Sequence, residues 1–530
     1  MKRFAVVLLI PCLFLLAALF TLKDYWVSWD ESEHLLRGQA YLYYFLTGNK
    51  RYPVGEEKAS YFQNDSLPPE HWLVADTGHP PLNGILAALS NYIFHQKLRI
   101  LGDIESHHLF NIVTSVILVF AVSVFAYLAH GKFVALVSGA VLSLYPLFFS
   151  EAHFNIKDPP QAAFYALTIL FFWLSLRKKN HWWLLAAAVS FAISLSIKFN
   201  IIFLPLIIIP YLFFRFYPKF NFRKIPKSFI WVLVFSPLIV GIIFFGSWPF
   251  LWQDPIVNFI KTINYYIGVG TGFETQPGYF IAGFNLYPIF WILITTQSIV
   301  LVLAFFGIVF VARDKEKERT SLLWLFWFLT PIVRVTVPGI SIYGGVRQIM
   351  EFIPAMALLA GLGASYLIQK LKLTIYKYLF ILITFILLLI PIVKYHPHEN
   401  VYFNFLVGGL KGAKEKNIPY WGNSYGNAYK EAFDWLKENA RPNSKVALVE
   451  GTSLNIPRIA IGLNLDYSND HWSGDKKKGE YLVELTYNNP VRYYPEAWDY
   501  VEKFLVPVYE VKVDGVAIAK VWKNDLEHTK

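Results

Sequence analysis

Charge is scarce in this chain. Only 16% of its 530 residues are Asp, Glu, Lys or Arg, where a soluble domain carries about 25%. Hydrophobic residues make up 55% and mean hydropathy is +0.40, which excludes an ordinary soluble protein. Cysteine is almost missing. The single Cys12 lies in the first hydrophobic run, so an intrachain disulfide and a cysteine-based zinc site are both excluded. The chain has no Walker loop and no Gly-x-Ser-x-Gly elbow. Gly268-Val269-Gly270-Thr271-Gly272 has no strand before it and no helix after it, so it is not a dinucleotide loop. Internal repeats, low-complexity tracts, flexible linkers and signs of broken helices are also lacking, which speaks against a transporter.

What is present is apolar length. A membrane span needs about 20 apolar residues. Eleven segments qualify: 4–22, 109–129, 132–150, 160–176, 182–197, 200–216, 229–247, 286–311, 321–337, 349–368 and 376–394. The first follows Lys2 and Arg3 but is too long for a signal peptide and has no clean cleavage site. It is read as an uncleaved span. Basic residues fall mainly at alternate connections, around Lys132, Arg177-Lys178-Lys179, 215–227, 313–319 and 370–377. The other connections hold little beyond Lys157, Lys198, Lys261 and Arg347. That asymmetry predicts a cytoplasmic N-terminus, and an odd number of spans puts the tail outside. It also accounts for the net charge of +11 without nucleic acid. The aromatic share of 18% suits interfacial belts.

The expected fold is therefore a polytopic α-helical membrane protein with a C-terminal extracytoplasmic α/β domain. The membrane domain is 1–394, with external loops 23–108 and 248–285, and the tail is 395–530. Residues 82–98 form an amphipathic stretch that suits the interface. The tail mixes a helical run at 428–439 with strand-like runs at 445–450, 481–486, 506–513 and 516–522.

Four clusters carry chemistry, and each also has a purely structural explanation. In Trp29-Asp30-Glu31, helical spacing sets Asp30, His34 and Arg37 on one face. Ser28 to Glu31 equally spells a capping box. Gly78-His79-Pro80-Pro81-Leu82 starts a helix, and His79 is its one member able to touch a substrate or metal. In His153-Phe154-Asn155-Ile156-Lys157-Asp158-Pro159-Pro160, an N-cap role explains Asp158 but not its companions. Tyr343-Gly344-Gly345-Val346-Arg347-Gln348 is either a turn with a snorkelling arginine or a guanidinium placed for phosphate.

Taken in order, these elements resemble the GT-C membrane glycosyltransferases of glycosyltransferase family 39, the protein mannosyltransferases, and the related aminoarabinose transferases of lipid A. Asp30-Glu31 matches the acidic pair of the first external loop, His79-Pro80-Pro81-Leu82 the x-Pro-Pro-Leu element, and Lys157-Asp158-Pro159-Pro160 the second acidic site. Trp248-Pro249-Phe250-Leu251-Trp252 and Tyr343-Gly344-Gly345-Val346-Arg347 resemble later elements, and 396–404 with Tyr420-Trp421-Gly422 resembles a tail of prokaryotic members. Two positions depart from the pattern. His107-His108 stand where many relatives carry an arginine, and Gln348 follows Arg347 where Arg-His is common.

The resemblance implies inverting transfer of a sugar from a polyprenyl-phosphate donor to an acceptor hydroxyl on the outer face of the membrane. The acceptor class stays open among protein, lipid and cell-wall polymer. Asp30 is the expected general base, with Glu31 and Asp158 sharing or supporting that role. Arg37, His79, Lys157, Tyr343 and Arg347 are the expected substrate contacts. No cofactor is required, although the chemistry leaves room for a divalent metal. The rival functions are a ligase or polymerase moving whole glycans, a transporter using the carboxylates as ion sites, and a binding protein working through its tail.

Overall fold

A long apolar run in a bilayer can satisfy its backbone only internally, so it becomes a helix. The computed structural model describes residues 2–55, 57–76, 78–216, 226–272, 277–314, 318–449, 465–466, 480–487 and 495–530. All eleven expected segments lie on helices there. Six are long and apolar enough to cross a membrane unaided: Asp103–His130, Asp158–Lys178, Phe199–Phe216, Lys227–Gly246, Phe352–Lys370 and Thr374–Tyr395. Three shorter apolar helices are Val6–Phe20, His181–Leu195 and Thr320–Thr336.

The remaining two segments are broken, contrary to the expectation of unbroken helices. Lys132–Ser143 meets Pro146–Phe154 at 63°, and Tyr287–Thr295 meets Ser298–Val311 at 118°. Pro146 supplies the physical reason for the first break, because it withholds an N–H and suits the first turn of a new helix. The two breaks touch. Tyr145 Oη lies 2.8 Å from Thr296 Oγ1. The freed carbonyls at the second break are claimed by the tail, where Asn404 Nδ2 donates to Leu293 O and Thr296 O at 2.7 Å each.

Residues 82–98 are covered by other helices rather than presenting a free apolar face. Leu82–Asn91 is an α-helix continued by a π-helical turn, Tyr92–Lys97, and it packs between Trp29–Thr47 and Asp103–His130. Its crossing with Trp29–Thr47 is backbone on backbone. A Cβ added to Gly38 would sit 2.1 Å from Gly84 O, so neither position can hold a larger residue at this separation.

The tail contains a five-stranded mixed sheet in the order Leu465–Asp466, Ser444–Leu448, Tyr481–Leu485, Val516–Lys523, Pro507–Val513. Ser444–Leu448 pairs in parallel with both its neighbours, and the other pairings are antiparallel. One face is covered by the helix Tyr429–Asn439. The main apolar core runs without interruption from the membrane helices into this sheet. The tail and the connections after the first, third, fifth, seventh and ninth spans therefore meet at one end of the helical bundle, and the candidate site is built there.

Candidate active site

The first acidic pair is divided by the fold. Trp29–Thr47 begins directly after the first span, with Asp30 and Glu31 in its first turn, where the helix dipole favours acids. Glu31 turns inward and is fully buried. It accepts the Ser28 N–H at 3.2 Å, completing half of a capping box. It also lies 3.1 Å from His108 Nε2 and accepts from Asn111 Nδ2 at 3.4 Å. Of the pair His107-His108, His108 is thus occupied with holding Glu31, and His107 lies 3.0 Å from Gln39 Nε2.

Asp30 faces the other way, and its side chain is 34% exposed. One oxygen, Oδ2, takes two cations: Arg347 Nη1 at 2.7 Å and Lys157 Nζ at 3.1 Å. Burial favours the neutral acid, but Arg347 first and Lys157 second outweigh it, so the carboxyl is held well below the usual carboxylate range. These three residues come from the connections after the first, ninth and third spans.

Asp158 does not cap its helix. Asn155 does that work, its Oδ1 accepting the N–H groups of Lys157 and Asp158 at 2.9 Å each. The Asp158 carboxylate is released for pairing. Lys198 Nζ donates to it at 2.6 Å, Asn155 Nδ2 at 2.9 Å, and Arg347 Nη1 stands 3.8 Å away. Lys198 also donates to Gln348 O at 2.9 Å. Behind it, buried Glu351 accepts from Asn200 at 3.0 Å and Arg334 at 2.9 Å.

Arg347 is aimed by its turn. Gly344 and Gly345 hold φ of 63° and 79°, which side chains adopt at a cost. A Cβ on Gly345 would also meet Trp291 Nε1 at 2.8 Å. The guanidinium then lies over the Tyr425 ring, 4.3 Å from its centroid. Tyr425 Oη donates to Gly344 O, and its carbonyl accepts the Trp29 N–H at 3.0 Å. Tyr343, at the head of the turn, packs half-buried against the core.

Arg37 and His79 flank this cluster. Arg37 is buried and donates to Asp76 at 2.8 Å. Asp76 also accepts from Tyr41 and from Trp248 Nε1, both at 2.8 Å, so Arg37 belongs to a clamp that ties the first connection to the Trp-Pro-Phe-Leu-Trp element. His79 Nδ1 lies 2.6 Å from Tyr266 Oη, and its ring is 5.5 Å from His34. Burial, then the charges of Lys157 and Arg37, push its imidazole well below its ordinary value. It is therefore a neutral hydrogen-bonding group at neutral pH.

A small recess opens beside Asp30, lined by Ser28, Trp29, Glu151, Phe154, Asn155, Arg347 and Tyr425. Glu151, Asn155, Lys198 and Tyr425 were not among the expected site residues. Lys198 had a sequence signal, being one of the few basic residues in its set of connections. Glu151 had one too, an acid inside an apolar run.

The cluster joins cations to carboxylates at a helix start beside the membrane, an arrangement that can neutralise a phosphate and accept a proton. Residues 78–248 match the family model described as dolichyl-phosphate-mannose-protein mannosyltransferase. ArnT from Cupriavidus metallidurans in the apo state has a similar fold, with a TM-score of 0.52 at 12% identity over 97% of this chain and 98% of its own. The same protein bound to undecaprenyl phosphate gives 0.53 at 13% identity, covering 99% of each chain. The chain has the GT-C glycosyltransferase fold. The archaeal oligosaccharyltransferase AglB from Archaeoglobus fulgidus, solved with an inhibitory peptide and a dolichol-phosphate, gives 0.47 at 11% identity over 92% of this chain and 69% of its own. No curated protein matches the sequence. The fold and the matched segment together indicate a multi-pass membrane glycosyltransferase.

Proposed function

We propose that this protein moves a sugar from a polyprenyl-phosphate donor to an acceptor hydroxyl on the outer face of the membrane, with inversion at the anomeric carbon. The observation that carries this is the single Asp30 oxygen held between Arg347 at 2.7 Å and Lys157 at 3.1 Å. A carboxylate so paired is a weak base. A phosphate is a better partner for a guanidinium fork and an ammonium than one carboxylate oxygen. When the donor phosphate takes both cations, Asp30 loses the charges that depress its pKa and becomes basic beside the bond to be broken. ArnT, with a similar fold, has been solved with undecaprenyl phosphate, which supports a lipid phosphate as the ligand.

The acceptor O–H proton then passes to Asp30. The acceptor oxygen bonds to the anomeric carbon from the face opposite the phosphate. The bond from that carbon to the phosphate oxygen breaks, and the electron pair stays on a phosphate that Arg347 and Lys157 neutralise. Lys198 holds Asp158 in place behind Arg347, so Asp158 fixes the arginine rather than the substrate. A weakly basic leaving group removes the need for a strong general acid or a metal. Glu31, buried among Ser28, His108 and Asn111, supports the helix start.

The test is Asp30→Asn, assayed with a panel of synthetic undecaprenyl-phosphate sugars and by binding of undecaprenyl phosphate. Asparagine keeps the size of aspartate, and the helix start is capped by Ser28 and Glu31 rather than by Asp30, so the fold should be kept. Transfer is expected to fall about 10²–10⁴-fold, the usual worth of a general base. Lipid-phosphate binding is expected to hold or tighten, because a competing anion has been removed. Near-normal transfer by the variant would take Asp30 out of the mechanism.

A further inference from the structure

Glu151 has no part in the steps above, yet its position is hard to explain by packing. It lies on the short helix Pro146–Phe154, beyond the 63° break, and is 1% exposed. Oε2 accepts from Asn155 Nδ2, the same amide that donates to Asp158 at 2.9 Å. Oε1 has no hydrogen-bond partner among the described residues. A buried carboxyl oxygen without a donor is costly, and native interiors rarely leave one. This oxygen belongs to a residue that lines the recess shared by Asp30, Arg347 and Tyr425.

Three features say what the missing donor is. The recess is small, suited to a single hydroxyl rather than a whole ring. Among the described residues no cationic side chain pairs with Glu151, Arg347 and Lys157 being engaged with Asp30 close by, so the site suits a neutral donor. Arg347 lines the recess while it is also the phosphate partner, so a group entering there is covalently near that phosphate. On a glycosyl phosphate, the hydroxyl nearest the phosphate is the one on the carbon next to the anomeric centre.

We propose that Glu151 Oε1 accepts a hydrogen bond from the hydroxyl adjacent to the anomeric carbon of the transferred sugar, which makes Glu151 a specificity-determining residue for sugars bearing that hydroxyl. The assignment rests on the donor reading given under Proposed function. It has a catalytic consequence. As the leaving phosphate departs, positive charge develops at the anomeric carbon and the neighbouring hydroxyl becomes more acidic. Its bond to a carboxyl oxygen strengthens in the transition state, as hydrogen bonds to such hydroxyls do in glycoside hydrolysis. The benefit appears in kcat.

The experiment is a double-mutant cycle between enzyme and donor. The accepted sugar from the undecaprenyl-phosphate panel is compared with its 2-deoxy analogue, on wild type and on Glu151→Gln. Glutamine keeps an oxygen for Asn155 and turns an amide NH2 into the recess. Loss of a hydrogen bond to this buried carboxyl oxygen predicts a fall of about 3- to 10-fold in kcat for the analogue on wild type. The intact sugar on Glu151→Gln should fall by a similar factor. On the variant, the analogue should cost less than about 1.5-fold further, because coupled losses do not add. An equal penalty for the analogue on both proteins would overturn the assignment, as would wild-type kcat for Glu151→Gln. Undecaprenyl phosphate binding by Glu151→Gln checks that the variant is folded. If it is not, Glu151→Asp, which draws the carboxylate back from the recess, is put through the same cycle. Normal transfer by both Arg347→Ala and Asp30→Asn would instead sink the donor reading itself. Impaired transfer by those two alongside a normal Glu151→Gln would sink the Glu151 assignment alone.

Discussion

Arg347 is the residue on which most of the site converges, and its replacement gives the sharpest measurement. The guanidinium reaches Asp30 at 2.7 Å and Asp158 at 3.8 Å. It stacks on Tyr425 at 4.3 Å, with only 13% of the side chain exposed. Arg347→Ala removes one phosphate partner and leaves Asp30 with Lys157 as its remaining cation. Truncating one member of a desolvated charge pair costs about 2–5 kcal/mol. At 1.4 kcal/mol per tenfold, that is a loss of about 30- to 4,000-fold in affinity for a lipid phosphate. Arg347→Lys should recover part of this, since it keeps the charge but neither the fork nor the flat face that stacks on Tyr425. The measurement is the Kd for undecaprenyl phosphate in lipid nanodiscs, with thermal unfolding of each variant alongside. An Arg347→Ala protein that binds within twofold of wild type would refute the phosphate assignment.

Two further outcomes follow from the tail. Tyr425→Ala should weaken undecaprenyl phosphate binding about 3- to 30-fold, the worth of a partly buried cation–π contact, while Tyr425→Phe keeps the stacking and loses little. Equal binding by wild type and Tyr425→Ala would show that Arg347 holds its place without the ring. His396 joins the tail to the first connection, with Nε2 3.0 Å from Asp24 and Nδ1 3.0 Å from Glu399, while Tyr25 donates to Glu399 at 2.8 Å. The hydrogen bond to Glu399 raises the His396 pKa. The imidazolium therefore adds stability that is complete below the unfolded value of about 6.5 and is lost as pH rises through the higher folded value. The wild-type Tm should fall more between pH 6 and 9 than that of His396→Gln, and parallel pH profiles would remove the latch.

The helical membrane frame was legible because each span is a single uninterrupted apolar run, and the tail strands because they alternate and are rich in Val. The breaks were not, since 132–150 and 286–311 are apolar on both sides of the bend. Pro146 is the only mark of the first, and the second depends on Asn404, more than a hundred residues away. In the site, Asp30, Lys157, Asp158 and Arg347 stood out as charges placed where apolar residues prevail. Their pairings did not, because each crosses connections far apart in the chain. Asn155 took the capping role that the sequence offered to Asp158, which only the geometry of the turn could reveal. Glu151 falls one residue past the predicted span 132–150 and just before the His153–Pro160 cluster, so neither reading took it up.

The Asp30–Arg347 pair spans 317 positions of sequence, and this separation is also a delay. At about 5–20 residues per second, roughly 15–60 s separate synthesis of the acid from synthesis of its arginine. Through that interval the growing chain carries Asp30 and Asp158 at the membrane edge, with Lys157 and Lys198 as their available counter-charges, and Tyr425 emerges later still. The end of the molecule that carries the candidate site thus closes last. A ribosome-bound or prematurely ended chain holds the acids of the site with Lys157 and Lys198 but not the guanidinium, so the two-cation grip on the Asp30 oxygen forms only after Arg347 has been made.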